Sequence, residues 1–220
     1  MKNNAELQKD VQTAIAWEPL LTAAEVGVTV KDGVVSLTGT VDSYLKKTEA
    51  ENAAKRVVGV KAVVEEIEVK LNNFYEKLND NEIANEILKA LKWNTQIPDD
   101  KIKIKVENGW ITLEGELVWN YQREAVKDTI KNLSGVMGIT DKISIKSNLE
   151  DEIEKSEIES ALFRNAFIHD KNSIHVNVAN HTVTLTGEVR SWFEKDEATQ
   201  IAWKAKGVWS VDNNLAIEYI

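Results

Sequence analysis

Three histidines, His169, His175 and His181, recur at intervals of six in the last third of this 220-residue sequence. Imidazoles that converged on one point would hold a metal ion at about 2 Å. The spacing instead spreads them over a turn (His181), the strand before it (His175) and the loop before that (His169). They read as exposed side chains, and no metal is expected. Acidic clusters stand at Glu65, Glu66 and Glu68, and at Glu150, Asp151, Glu152 and Glu154. Paired carboxylates serve glycoside hydrolysis when they face each other across a cleft. These lie on a strand edge and in a linker, and read as solvated faces. No Ser-His-Asp set, phosphate loop or HExxH is present. The sequence has no cysteine, which excludes thiolate nucleophiles, disulfides and sulfur-ligated zinc. No catalytic residue and no cofactor is expected.

The aromatic residues carry more information. Tyr44, Trp119, Tyr121, Trp192 and Phe193 all fall just after a recurring glycine, at the entry to a helix. Aromatics with an apolar body and a polar edge suit protein interfaces and membrane surfaces. Lys46, Lys47, Lys55 and Arg56 lie near the first of them, and Arg123, Lys127 and Lys131 near the second. Such cations can meet lipid phosphates. The candidate contact set for a lipid surface or a partner protein is therefore Tyr44, Lys46, Lys47, Trp119, Tyr121, Arg123, Trp192 and Phe193. The competing reading is that these aromatics join one repeat to another or cover a small core. Trp110 falls on the outward phase of its strand, and Trp209 beside core valines. Trp17 and Trp93 sit after helices and read as core or helix cover. Lys101, Lys103 and Lys105 alternate with Ile102 and Ile104, the mark of a solvated strand face.

These residues are positioned by a repeat. Three hairpin segments match: KDGVVSLTGTV (31–41), ENGWITLEGEL (107–117) and ANHTVTLTGEV (179–189). Their glycines, Gly39, Gly115 and Gly187, are each followed 20 residues later by another, Gly59, Gly135 and Gly207, and then by valine. Successive copies are offset by 76 and 72 residues. Each copy opens with an amphipathic helix: Leu7, Val11, Ala14 and Ile15; Ile83, Ile87, Ala90 and Leu91; Ile158, Ala161 and Leu162. Ser156 with Glu159 predicts a capping box for the third of these, and Ser191 with Glu194 one for a later helix. A strand follows, then a turn at Asp32-Gly33, Asn108-Gly109 or Asn180-His181. Asp-Gly and Asn-Gly favour a type I′ turn, with positive φ at both central residues. A second strand alternates apolar and polar. A second helix begins beyond the hairpin glycine and is expected to stop at the second glycine in a left-handed cap. A third strand completes the unit. A helix between the second and third strands permits parallel pairing.

The sequence thus predicts three α-β-β-α-β modules over residues 1–72, 73–148 and 149–220. Each is an α+β unit, a small mixed three-stranded sheet with two helices on one face. Gly33 and Gly109 join the six interval glycines as structural positions. One module of this size buries a small core, so the repeats are expected to pack on one another. The linkers, 71–80 and 147–155, are polar and poor in Gly, Pro and Ser, and are expected to continue the first helices.

The stretches DGVVSLTGTV with GVKAV, NGWITLEGEL with GVMGI, and NHTVTLTGEV with GVWSV resemble the BON domain, three times over nearly the whole chain. The resemblance implies a structural motif of glycines and core aliphatics without catalytic residues. It implies an osmotic-stress, secretion-linked or transport-associated protein with a phospholipid-interacting role, often periplasmic. A cytosolic protein-protein scaffold is the alternative.

The formal net charge of -9 argues against nucleic-acid binding through the whole-protein field. The charge is uneven: 9 basic against 11 acidic residues through position 72, 11 against 12 over 73–148, and 7 against 13 thereafter. Contact with an anionic surface is expected from the first two copies. Glu6, Lys9 and Asp10 interrupt any apolar leader near Met1, so the sequence as written reads as cytoplasmic. A chain trimmed of its leader reads as periplasmic.

Overall fold

The computed structural model describes residues 2–22, 24–71, 78–146, 153–170 and 172–218. The first module comprises α1 (Asn4–Ala16), β1 (Val26–Lys31), β2 (Val34–Val41), α2 (Tyr44–Lys55) and β3 (Ala62–Val69). The second comprises α3 (Asp80–Trp93), β4 (Ile102–Glu107), β5 (Trp110–Leu117), α4 (Asn120–Lys131) and β6 (Gly138–Ile145). The third comprises α5 (Lys155–Arg164), β7 (Ile174–Ala179), β8 (Thr182–Val189), α6 (Trp192–Trp203) and β9 (Ser210–Ile217). The third module and most of the first share one compact unit. The second module forms another, together with residues 39–48 and 67–71 of the first.

In each module the middle strand is the second, giving sheet orders β1-β2-β3, β4-β5-β6 and β7-β8-β9. The hairpins β4-β5 and β7-β8 are antiparallel, and β5-β6 and β8-β9 are parallel, as the intervening helix requires. The first helix of each module buries one stripe: Leu7, Val11 and Ile15; Ile83, Ile87 and Leu91; Ile158 and Leu162. In the third module this stripe meets Val176, Val183 and Leu185 of the sheet and Ala198 and Ala202 of α6. Burying a valine, leucine or isoleucine side chain contributes about 1.5–3 kcal/mol, and eleven of them, with Ala198 and Ala202, form the buried core of the third module among the described residues. The small alanines let α6 lie close to the strands.

The recurring glycines answer two different demands. Gly115 (φ 152°) and Gly187 (φ 119°) lie where the preceding strand begins. A Cβ there would collide with the carbonyl oxygens of Lys101 and Ser173 respectively. Gly135 (φ 89°) closes the loop after α4, and a Cβ would come within 2.8 Å of Ile83 on α3. The second helices do not run to these glycines. They end at Lys55, Lys131 and Trp203, four residues short of Gly59, Gly135 and Gly207. The intervening residues form tighter turns, such as Leu133 N–H to Ile130 O at 3.0 Å.

Two further expectations are corrected. Helix α5 is capped at Glu154, not at Ser156, and no side chain bonds its first amides, so the Ser156–Glu159 box does not form. Ser191 does cap α6, accepting from Glu194 N–H at 3.2 Å, but the Glu194 carboxylate reaches Arg190 N–H instead of closing the box. Most of both linkers, with Glu150, Asp151 and Glu152, lies outside the described residues. Helices α3 and α5 begin only at Asp80 and Lys155.

Candidate functional site

The second helix of each module starts five residues after the hairpin glycine, so the predicted contact residues fall at or within the first three turns of that helix. Tyr44 and Trp192 open α2 and α6, and Trp119 directly precedes α4, its N–H bonded to Gln122 Oε1 at 3.2 Å. All three are half-buried. Tyr121, in the first turn of α4, is 57% exposed. Phe193 meets Phe167 edge to face, with ring centroids 5.3 Å apart. Trp192 donates its indole N–H to Lys61 O of the first module at 3.2 Å. The Lys55 and Lys195 ammoniums lie 5.8 and 5.4 Å from its ring centroid.

The basic residues are engaged at home. Lys46 pairs with Asp42 at 3.0 Å. Lys47 donates to Ile67 O at 2.9 Å, and Lys195 to Leu215 O at 2.7 Å. Arg123 stands 3.8 Å from Asp141 and 3.9 Å from Glu124. Lys47, Arg123 and Lys195 each lie eight residues after the hairpin glycine. In every module this cation reaches from the second helix to the last strand. The repeat itself signalled that role, because a charge kept at one repeat position in all three copies answers a need of the module.

The helix-two aromatics are outdone in exposure by others. Trp17 and Trp93 are 81% and 85% exposed, at the C-terminal ends of α1 and α3. The expectation that they cover the core fails for a simple reason: each stands past the last buried position of its stripe, Ile15 or Leu91, and the chain turns away there. Phe163, at the corresponding end of α5, is also exposed.

The histidines do not meet. His175 is exposed on β7. His169 Nδ1 lies 2.9 Å from the buried carboxylate of Glu194. His181 is half-buried rather than exposed: it stacks on Trp209, with centroids 4.1 Å apart and planes at 7°, and its Nδ1 is 2.8 Å from Gly207 O. Among the described residues no cluster of His, Asp and Glu is arranged to hold a metal ion. No described helix is long and apolar enough to cross a membrane. Grooves run between α1 and β1 and between α5 and α6. Neither is lined by a carboxylate pair or by a hydroxyl with a histidine base.

The family model described as the BON domain matches three times, over residues 3–70, 79–147 and 150–219. The chain belongs to the BON-domain family. Each BON domain is thus one α-β-β-α-β module, and the basic clasp from second helix to last strand is internal to it. The chain is 28% identical over 154 residues to the osmotically-inducible protein Y of Escherichia coli (strain K12), covering 66% of this chain and 75% of that one. Two solved structures of CdsD, described as a structural protein of the type III secretion system of Chlamydia trachomatis, are each 18% identical. One covers 96% of this chain and 92% of that chain with a TM-score of 0.26. The other, its C-terminal domain, covers 99% and 100% with a TM-score of 0.27.

Proposed function

We propose that this BON-domain chain acts by binding, not catalysis, as a stress- or transport-linked protein that contacts phospholipid surfaces. The observation that carries the reading is the exposure of Trp17 and Trp93, 81% and 85%, at equivalent ends of α1 and α3. An indole left in water loses the burial that a large apolar ring normally gains. At a bilayer surface the same ring sits at headgroup level, with its N–H still hydrated. Lys92 stands beside Trp93 and Lys89, paired with Glu86 at 2.8 Å, one turn before it, two cations near the indole that can meet phosphates. Tyr121 is the accessible member of the helix-two set. Similarity to an osmotically-inducible protein supports the stress link.

Co-sedimentation with vesicles of mixed phosphatidylglycerol and phosphatidylcholine tests this. Binding that weakens with salt and falls at least about ten-fold in Trp17→Ala/Trp93→Ala is the expected result. Equal binding by that variant rejects the proposed anchors. Absence of binding to any vesicle rejects the lipid reading and favours an envelope or cytosolic protein partner.

A further inference from the structure

The open sheet face of the second module carries an aromatic platform that its sister modules lack. Trp110, the first residue of β5, lies opposite Gly138, the first residue of β6. The indole lies against the glycine, for a Cβ at position 138 would fall 2.5–2.7 Å from its Cζ3, Cε3 and Cη2 atoms. Its Nε1–H is held by Thr140 Oγ1 at 2.8 Å. One ring face therefore rests on backbone and the other is open, consistent with 48% exposure. The orientation is fixed before any ligand arrives, which lowers the entropic cost of binding. At the matching positions the first module has Val34 and Ala62, and the third has Thr182 and Ser210. Covering one glycine explains the buried ring face but gives no use for the open one.

Strand pairing arranges the neighbours in rows on this face. Lys105, Thr112 and Thr140 form the row beside Trp110, and Lys103, Glu114 and Lys142 the next. From Trp110 to Glu114 is about 13 Å at ~3.3 Å per residue, room for more than one pyranose ring. The face is polar and its charges are interspersed. Lys101, Lys103, Lys105 and Lys142 stand with Glu107, Glu114 and Glu116; the Lys105–Glu107 pair closes at 2.9 Å and the Lys142–Glu114 pair at 3.8 Å. With carboxylates set among the ammoniums, the face offers no continuous strip of one sign to lipid phosphate or nucleic acid. A neutral polyhydroxylated chain matches it: one apolar C–H ring face for the indole, and hydroxyls that both donate to carboxylates and accept from ammoniums.

We infer that this face is a binding site for a neutral glycan chain, with Trp110 as the stacking platform and the Lys103–Glu114–Lys142 row as its hydrogen-bonding flank. The test is titration of the full-length ¹⁵N-labelled protein with chitohexaose and with cellohexaose, followed by indole and amide resonances. The Trp110 indole signal and the amides of Thr112, Glu114 and Lys142 should shift together with either sugar. Trp110→Ala should weaken binding at least about ten-fold. Glu114→Ala, which leaves Gly138 covered, should weaken it about two- to five-fold through one lost hydrogen bond. Trp93→Ala should leave it unchanged. The inference is overturned if neither sugar shifts these signals at ~10 mM, which would mean a binding free energy too weak to be a site. It is also overturned if Trp93→Ala weakens binding as much as Trp110→Ala, or if Glu114→Ala and Trp110→Ala both bind as well as the parent.

Discussion

The hairpin turns of the second and third modules share a backbone and differ in what holds it. Both have positive φ at the two central residues: 51° and 75° at Asn108-Gly109, 48° and 60° at Asn180-His181. In the second module the Asp80 carboxylate, in the first turn of α3, accepts from Asn108 N–H at 2.8 Å and Gly109 N–H at 2.9 Å. The first module does the same more weakly, with Asn4 Oδ1 accepting from Asp32 N–H at 3.0 Å. In the third module the turn's own side chain does the holding. His181 stacks on Trp209 and reaches Gly207 O, where the second module has Gly109 over Met137. A histidine could not replace Gly109, since its Cβ would lie 2.5 Å from Gly135 O and 2.7 Å from Met137 Cγ. The comparison teaches that a left-handed position can be kept by removing the side chain or by giving it a partner worth the strain.

The largest effects should fall where the modules do not differ. Gly115→Ala and Gly187→Ala each put a Cβ against a backbone carbonyl at a φ that L-residues avoid. Each should cost about 3 kcal/mol or more within its own module, read by hydrogen exchange of the β5 or β8 amides. Unequal losses would mean that the two sheets tolerate the approach differently, against their matching registers.

Next in size comes the pin itself. Asp80→Ala removes the shared acceptor of two amides and a favourable charge at a helix N-terminus. The expected loss is about 2 kcal/mol in the second module, with exchange in the third unaltered. Asp80→Asn, with one acceptor oxygen, should cost about half as much. A third module that loosened equally would break the comparison.

The third module should answer oppositely to glycine. His181→Gly trades a strained backbone for a lost stack, so its net effect should be within about 0.5 kcal/mol of zero. His181→Ala keeps the strain and loses the stack, and should cost about 1–2 kcal/mol. If both variants cost the same, the stack rather than the strain sets the energy.

Much of this could be read from the sequence. The 20-residue glycine interval located the hairpin and the following loop of every module, because positive φ and close approach leave few substitutes for glycine. The i, i+4 stripes located the first helices because burial on one face demands that spacing. The alternation put Trp110 outward, but that Gly138 seats its ring depends on a parallel register between strands separated by a helix. Nearness to aromatics in sequence suggests a surface patch for the lysines; it does not show that Lys47 and Lys195 also bond strand carbonyls 20 residues further along the chain. Trp17 and Trp93 were misjudged because periodicity marks where a stripe runs, not where the chain leaves it.

The smallest expected effect concerns α6, where Trp192 meets the first module. Asp196 lies beside Lys55, Lys195, Glu51 and Glu197. Burial raises its carboxyl above the ordinary 3.8, the ammoniums of Lys55 and Lys195 pull it down, and Glu51 and Glu197 push it up again. Asp196 stays solvent-exposed, but partial desolvation prevails over the two ammoniums, so the folded chain holds this proton to slightly higher pH than the unfolded chain does. The group's contribution to stability is therefore greatest below pH 3.8 and falls as pH rises through the raised value. Asp196→Asn keeps the shape and removes the ionisation. It should raise Tm at neutral pH by about 1 °C, with the gain shrinking as pH approaches 4. The accompanying loss of attraction to Lys55 and Lys195 is smaller, because the net shift is upward. Thermal unfolding of both proteins across that range is the check. Parallel pH profiles would mean that the partial desolvation of this exposed carboxylate is offset by Lys55 and Lys195.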